Sequence, residues 1–264
     1  MRQIYVRRYI KEFADVMRGK TSLEAYLARN YPSLFKIDRG KVIRWKGIPL
    51  LSDAFHEIEL LELIILNEIY SIPECRVEKE DVVFDVGAHL GFFTFSAFMS
   101  GAARVYAFEP NPFAFDILKK HTELWKVNAD VFNLALYSEE TSLELFIPSN
   151  PVESISTVLK DRKRTVLEKH RYGKSVLVNA TTLDRFVERN NVERVDFIKI
   201  DAEGAEREII KGAKETIKNF KPKMVIAAYH LPDDKKVIPE LVLSIRDDYK
   251  YKLVNKGEED LFFF

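Results

Sequence analysis

Apolar residues return at intervals of three and four along residues 5–16 and 60–70, a spacing that predicts helices. Between them, KIDRGKVIRWKGIPLL predicts a short β-hairpin turning at Arg39-Gly40. The stretch 55–70 holds Leu60, Leu61, Leu63, Ile64, Ile65, Leu66 and Ile69, too wide an apolar face for a helix in water, so it is expected to dock on the main domain. After Pro73 the rhythm changes. Short, continuously apolar runs at 82–86, 104–108, 130–135, 195–200, 224–228 and 251–254 alternate with helical patterns at about 91–100, 112–125, 205–219 and 238–247. That alternation predicts an α/β fold, a doubly wound, mostly parallel seven-stranded sheet with helices on both faces. The ending YKLVNKGEEDLFFF adds a turn at Lys256-Gly257 and a last strand expected to run antiparallel. Strand-like runs at 143–147 and 175–180 flank a polar stretch and predict an inserted hairpin and basic loop at about 142–180. The organisation expected is a mainly helical N-terminal extension with a short hairpin over 1–73, and one large domain over 74–264.

Composition narrows the classes. With 47% hydrophobic residues among 264, the chain has material for a sizeable core. Its 41 basic and 41 acidic side chains balance to +0, which removes the simplest argument for a polyanion binder. One cysteine, Cys75, makes neither an internal disulfide nor a thiolate metal cage, and a reducing, cytoplasmic setting is expected. The first twenty residues carry a charge every few positions, unlike a signal peptide. The longest uncharged apolar stretch, 90–103, is too short to span a bilayer, so no integral membrane segment is expected.

In an open α/β sheet the ligand lies beyond the carboxyl ends of the strands, where strand order reverses. The first strand of the main domain ends in Asp85-Val-Gly87-Ala-His89-Leu-Gly91 and runs into a helix, so Gly87 and Gly91 let a ligand approach the backbone and His89 is placed to line the turn. The second ends in Glu109, 24 residues after Asp85, where a carboxylate accepts from both hydroxyls of a ribose. A nicotinamide fingerprint would carry three glycines and no acid closing the strand. Asp85 instead suits a ligand with a cationic amine, and an amino acid joined to a nucleoside meets both demands. That ligand is S-adenosylmethionine, with S-adenosylhomocysteine as product. The fourth strand closes on Asp201, with Glu203 and Glu206 at the next helix start, where a charged first turn is the alternative reading. The fifth ends at Tyr229-His230, and His230 is a candidate general base or a solvated loop residue.

These residues resemble the FkbM family of S-adenosylmethionine-dependent methyltransferases, a class I, Rossmann-like fold. The resemblance spans about 81–252 and is carried by DVGAHLGFFTF at 85–95, AFEPNP at 107–112, NLAL at 133–136, TTLD at 181–184 and, most specifically, IKIDAEGAEREIIKGA at 198–213. It implies that Asp85, Gly87 and Gly91 form the cofactor turn and that Glu109 is the ribose acid. It also implies that Asn133 and Ala135 line the adenine end, and that Asp201 and Glu203 lie beside the methionine and its methyl group. Family members methylate hydroxyls of sugars and polyketide-type metabolites. Two segments depart from the family pattern, Ala227-Ala228-Tyr229 where a glutamate is common and SISTV at 154–158 where paired serines are expected.

The expected activity is therefore O-methylation of a hydroxyl on a carbohydrate or small metabolite, by in-line transfer. Asp201 or His230 would act as general base and Glu203 would fix that base or a substrate hydroxyl. A divalent metal on Asp201 and Glu203 is neither required nor excluded by the spacing. The insert 160–174 has seven basic side chains against two acidic, a local excess of +5, which would recruit an anionic acceptor or line a solvated loop. An RNA methyltransferase using that insert and a cofactor-binding subunit without chemistry are the competing readings. The basic N-terminal segment would cap the pocket or join two subunits of a homo-oligomer.

Overall fold

The computed structural model describes residues 41–151, 155–158 and 172–264. The helix expected at 5–16, the turn at Arg39-Gly40 and most of the basic insert lie outside these residues. The chain divides into two compact units after Ile69. In the first, β1 (Val42–Trp45) and β2 (Ile48–Leu51) form an antiparallel hairpin that turns at Lys46-Gly47. Both turn residues are left-handed, with φ of 48° and 87°, matching the right-handed twist of the flanking strands. A 3-10 turn at Ser52–Glu57 then leads into α1 (Ile58–Ile65). The indole of Trp45 donates to the buried Glu62 carboxylate at 3.1 Å, and the Lys46 ammonium stands 2.8 Å from the same oxygen.

The second unit opens with β3 (Val82–Val86), α2 (Phe92–Met99), β4 (Arg104–Phe108), α3 (Pro112–Trp125) and β5 (Ala129–Phe132). A second sheet is built from β6 (Ala135–Leu136), β7 (Thr141–Pro148) and β8 (Tyr172–Thr181). The chain then returns through α4 (Leu183–Arg189), β9 (Phe197–Ile200), α5 (Glu206–Lys211), α6 (Lys214–Phe220), β10 (Lys223–Ala227), α7 (Asp234–Ile245), β11 (Tyr251–Asn255) and β12 (Glu259–Phe263). The main sheet is seven-stranded in the order β11-β12-β10-β9-β3-β4-β5, parallel except for β12 against both its neighbours. Strand order reverses at β3, which has β4 on one side and β9 on the other. A ligand crevice is expected above that point.

Two expected elements are subdivided and a third is shifted. The run 130–135 becomes two strands in different sheets because the Asn133 side chain turns the backbone between them, donating to the carbonyls of Glu109 (2.9 Å) and Pro110 (3.0 Å). The helix expected over 205–219 breaks at Gly212, where a β-carbon would meet the carbonyl oxygen of Tyr137 at 2.0 Å, so the two backbones approach too closely for any other residue. α7 begins four residues earlier than the apolar spacing suggests, because Asp234 accepts from the Leu231 amide at 2.6 Å and pairs with Arg207. One face of the sheet carries an aromatic cluster centred on Phe186 of α4, with the rings of Phe84, Phe108 and Phe132 at 6.0, 4.7 and 4.9 Å, all edge to face. Such contacts are worth about 0.5–1.5 kcal/mol each beyond burial and brace the strands that carry the site. No helix among the described residues is long and apolar enough to cross a membrane.

Candidate active site

The strand ends at the switch point are locked before any ligand is considered. β3 and β9 are parallel neighbours in a register that sets Asp85 opposite Lys199. Both are buried, and the Lys199 ammonium stands 3.3 Å from Asp85 Oδ1 while the Thr94 hydroxyl donates to Asp85 Oδ2 at 2.7 Å. The same ammonium donates to the carbonyl of Gly87 at 2.6 Å and so grips the turn from below. Burial alone would depress the Lys199 pKa, but Asp85 and Asp201 outweigh it and raise the value above the ordinary lysine range. Asp85 is thus fully buried and faces a cation of the protein's own. Spacing alone suggested that it would meet the amine of a ligand.

Above this pair the turn itself is left-handed at Gly87, His89 and Gly91, with φ of 75°, 51° and 88°. A β-carbon on Gly87 would lie 1.8 Å from the carbonyl oxygen of Asp201, so this glycine is where the β3 and β9 loops cross. Glu109 at the end of β4 accepts from the amides of His89 and Asn111, each at 2.8 Å. One lone pair on each oxygen stays available. Burial pushes the Glu109 carboxyl up to about 7, against the lowering effect of those two amides. Asn133 is exposed beside it and Ala135 is buried at the start of β6. The SISTV segment reaches the same rim, since Ser156 accepts from the Asn111 amide side chain at 3.0 Å and Thr157 donates to the Glu203 carbonyl at 2.8 Å.

The other half of the crevice is acidic. Asp201 follows β9, and its Oδ2 accepts from the Tyr70 hydroxyl at 2.7 Å. Glu203 takes a left-handed backbone, φ 52°, a conformation that is strained for a non-glycine residue and recurs at functional sites. His230, just past β10, has a fully buried ring whose Nε2 lies 3.7 Å from Asp201 Oδ1 and 3.6 Å from Glu203 Oε2. Its Nδ1 is 2.9 Å from Glu206 Oε1, an oxygen that also accepts from the amides of Ala202 and Gly204. Burial opposes the imidazolium, but Glu206, Glu203 and Asp201 overcome it and raise His230 to about 9. His230, nearly thirty residues on in the chain, therefore does converge with Asp201 and Glu203.

Several residues of the site went unrecognised in the sequence. Lys199 read as one apolar-strand position, Tyr70 as a helix residue, and Glu206 as a charged first turn. Glu258 and Asp260 read as turn and strand. Antiparallel pairing of β12 with β10 sets Asp260 opposite Ala227, which brings both acids to the crevice end of the sheet. Burial raises both, Glu258 to about 7 and Asp260 well above the carboxylate range, with neighbouring acids adding to the effect. The expected antiparallel direction of the last strand was the signal, because it puts the strand's first residues beside the ends of the parallel ones. Two other histidines are accounted for differently. His121 is buried between Phe92 and Trp125, its Nδ1 2.7 Å from the Leu90 carbonyl, and burial lowers it to about 4. His170 lies outside the described residues.

An open α/β sheet with a left-handed glycine turn, a buried acid beside it and an acidic cluster over its switch point is the arrangement of an enzyme crevice. The chain belongs to the methyltransferase FkbM domain family, whose profile matches residues 85–253, and it is a methyltransferase. It is 26% identical over 184 residues to the hexuronic acid methyltransferase AglP of Haloferax volcanii, covering 70% of each chain. It is also 25% identical over 173 residues to the 31-O-demethyl-FK506 methyltransferase FkbM of Streptomyces tacrolimicus, covering 58% of this chain and 66% of that one. In fold it matches the crystal structure of the methyltransferase FkbM from Methylobacillus flagellatus KT with a TM-score of 0.52 and 19% identity. That match covers 81% of this chain and 54% of that one.

Proposed function

We propose that the enzyme transfers a methyl group from S-adenosylmethionine to a hydroxyl oxygen of a carbohydrate or small metabolite. The observation that carries this reading is the meeting, over one strand reversal, of Glu109 beside the glycine turn with the Asp201, Glu203 and His230 cluster. The residues present fit the cofactor. Glu109 keeps one acceptor site on each oxygen for a ribose, Gly87 and Gly91 carry no side chain over the turn, and Asn133 and Ala135 border the adenine end. Bound there, the cofactor supplies a methyl carbon made electrophilic by its sulfonium. Asp201 and Glu203 hold the acceptor hydroxyl, and a carboxylate oxygen of this pair takes its proton as the new oxygen–carbon bond forms. With the sulfonium as methyl donor, the thioether would be the leaving group and the carboxylate would keep the proton it takes, so the charges would balance. Tyr70 fixes Asp201 and Glu206 fixes His230, which orients the pair without solvent reorganisation.

Relatives named as methyltransferases of hexuronic acid and of 31-O-demethyl-FK506 support a hydroxylated acceptor. The basic insert, on which an anionic or RNA acceptor would rest, lies mostly outside the described residues. The test is calorimetric titration with S-adenosylmethionine, S-adenosylhomocysteine and NAD, followed by methyl-labelled turnover on uronic acids, neutral sugars and RNA. Micromolar binding of both adenosyl ligands, lost in Glu109→Ala, with label entering a sugar at an alkali-stable ether, is the expected result. Binding of NAD alone, or label entering only RNA, would overturn it.

A further inference from the structure

The acidic half of the crevice has more negative charge than its partners balance. Asp201, Glu203, Glu206, Glu258 and Asp260 crowd about one imidazole, and ligand-type atoms of Asp201, Glu206 and His230 all lie within 4.8 Å of one another. A group of acids is not in itself a site. The second observation is His230, whose ring is completely buried and whose Nε2 has no hydrogen-bond partner although two carboxylate oxygens face it. Those oxygens stand at 3.7 and 3.6 Å, too far for hydrogen bonds. Two atoms each about 2.1–2.2 Å from a common ion are about 3.0–3.6 Å apart at angles of about 90–110°. Each of the two carboxylate oxygens therefore stands from Nε2 at about the separation of two ligands on one small ion.

We propose that Asp201, Glu203 and His230 bind one divalent metal ion, with Glu206 as the group that holds the imidazole. Nδ1 is engaged by Glu206 Oε1, so a metal ion that displaces the Nε2 proton to solvent meets a lone pair pointing into the cluster, the arrangement in which a carboxylate orients a metal-bound histidine. An imidazole with two carboxylates favours a transition ion such as Mn2+ over Ca2+. Three protein ligands leave coordination positions open. An acceptor hydroxyl entering one of them would have its pKa lowered, and a neighbouring hydroxyl on the same sugar would be oriented by another. This role deepens the O-methyltransferase reading and rests on it, whereas the binding site itself does not.

The full chain, stripped with EDTA and dialysed, is titrated with Mn2+ by calorimetry and by electron paramagnetic resonance, and with S-adenosylhomocysteine in parallel. Protein labelled with 15N-histidine is followed by NMR. One Mn2+ per chain at micromolar Kd is expected, with selective paramagnetic broadening of His230 among the five histidines counted in the sequence. Glu203→Gln should weaken binding at least about tenfold, and Glu206→Gln by about 10–100-fold. Thermal melts check that both variants fold, and the broadening in the native chain needs no variant. Uptake of S-adenosylhomocysteine without Mn2+ or Zn2+ binding at millimolar concentration would overturn the metal site and leave the methyltransferase reading standing. Broadening spread over all histidines would also overturn it. Metal bound at His230 with no adenosyl ligand bound would uphold the site and overturn that reading.

Discussion

The two halves of the crevice treat buried charge in opposite ways. At the cofactor half, Asp85 has the Lys199 ammonium at 3.3 Å and the Thr94 hydroxyl, and Glu109 has two backbone amides, so each buried carboxylate is met by a cation or by donors of the protein, although Asp85 Oδ1 itself makes no hydrogen bond. At the acceptor half, Glu206 Oε2, Glu258 Oε2, Asp260 Oδ1 and His230 Nε2 are buried without a hydrogen-bond partner. Balanced charge builds a rigid cradle. Unbalanced charge costs stability and is retained where a ligand is to supply what is missing.

The contrast can be broken most severely at Gly87. Gly87→Ala forces a side chain onto a left-handed backbone and into the Asp201 carbonyl, so a loss of more than about 4 kcal/mol and of all cofactor binding is expected in denaturant melts and calorimetry. Lys199→Met comes next. It leaves Asp85 buried without its cation and should cost about 3–5 kcal/mol in the same melts, part of which Lys199→Met with Asp85→Asn should restore. If the double variant is no more stable than the single one, the pair is not the compensated unit described here.

The acceptor half should respond with the opposite sign. Asp260→Asn removes a buried carboxylate that burial and neighbouring acids disfavour, so the metal-free protein is expected to gain about 1–2 kcal/mol at pH 8 while turnover falls. A loss of stability comparable to that of Lys199→Met would erase the distinction between the halves. The smallest effect concerns Glu109. Its carboxyl titrates at about 7, and only the ionised form accepts from both ribose hydroxyls. Protonation therefore grows as pH falls through 7, and affinity for S-adenosylhomocysteine should drop by up to about tenfold between pH 7.5 and 6, a slope that Glu109→Gln removes. A flat profile in the native chain would show that the ribose does not use this carboxylate.

Much of this was written along the chain. Continuous apolar runs located β3, β4, β9 and β10 to within two residues, because strands buried on both faces leave a signal that needs no partner to read, and the exposed edge strand β11 was found from its own apolar run. The turn glycines, Glu109 and Asp201 were legible because each closes such a run, and in a parallel sheet all run ends face one way. The hairpin turn at Lys46-Gly47 was missed because its local chemistry is the same as that of Arg39-Gly40, and only the pairing of β1 with β2 reveals it.

What the sequence determined by itself, then, is the order of elements and the identity of the residues at strand ends, since both follow from local periodicity and chain direction. The tertiary structure alone decided which of those residues share a charge. Lys199 meets Asp85 across 114 positions of chain because β9 inserts beside β3, and Glu258 and Asp260 join Asp201 because β12 enters antiparallel beside β10. Coulomb interactions act through a few ångströms of space, and no local pattern in the chain encodes which distant strand will provide the neighbour.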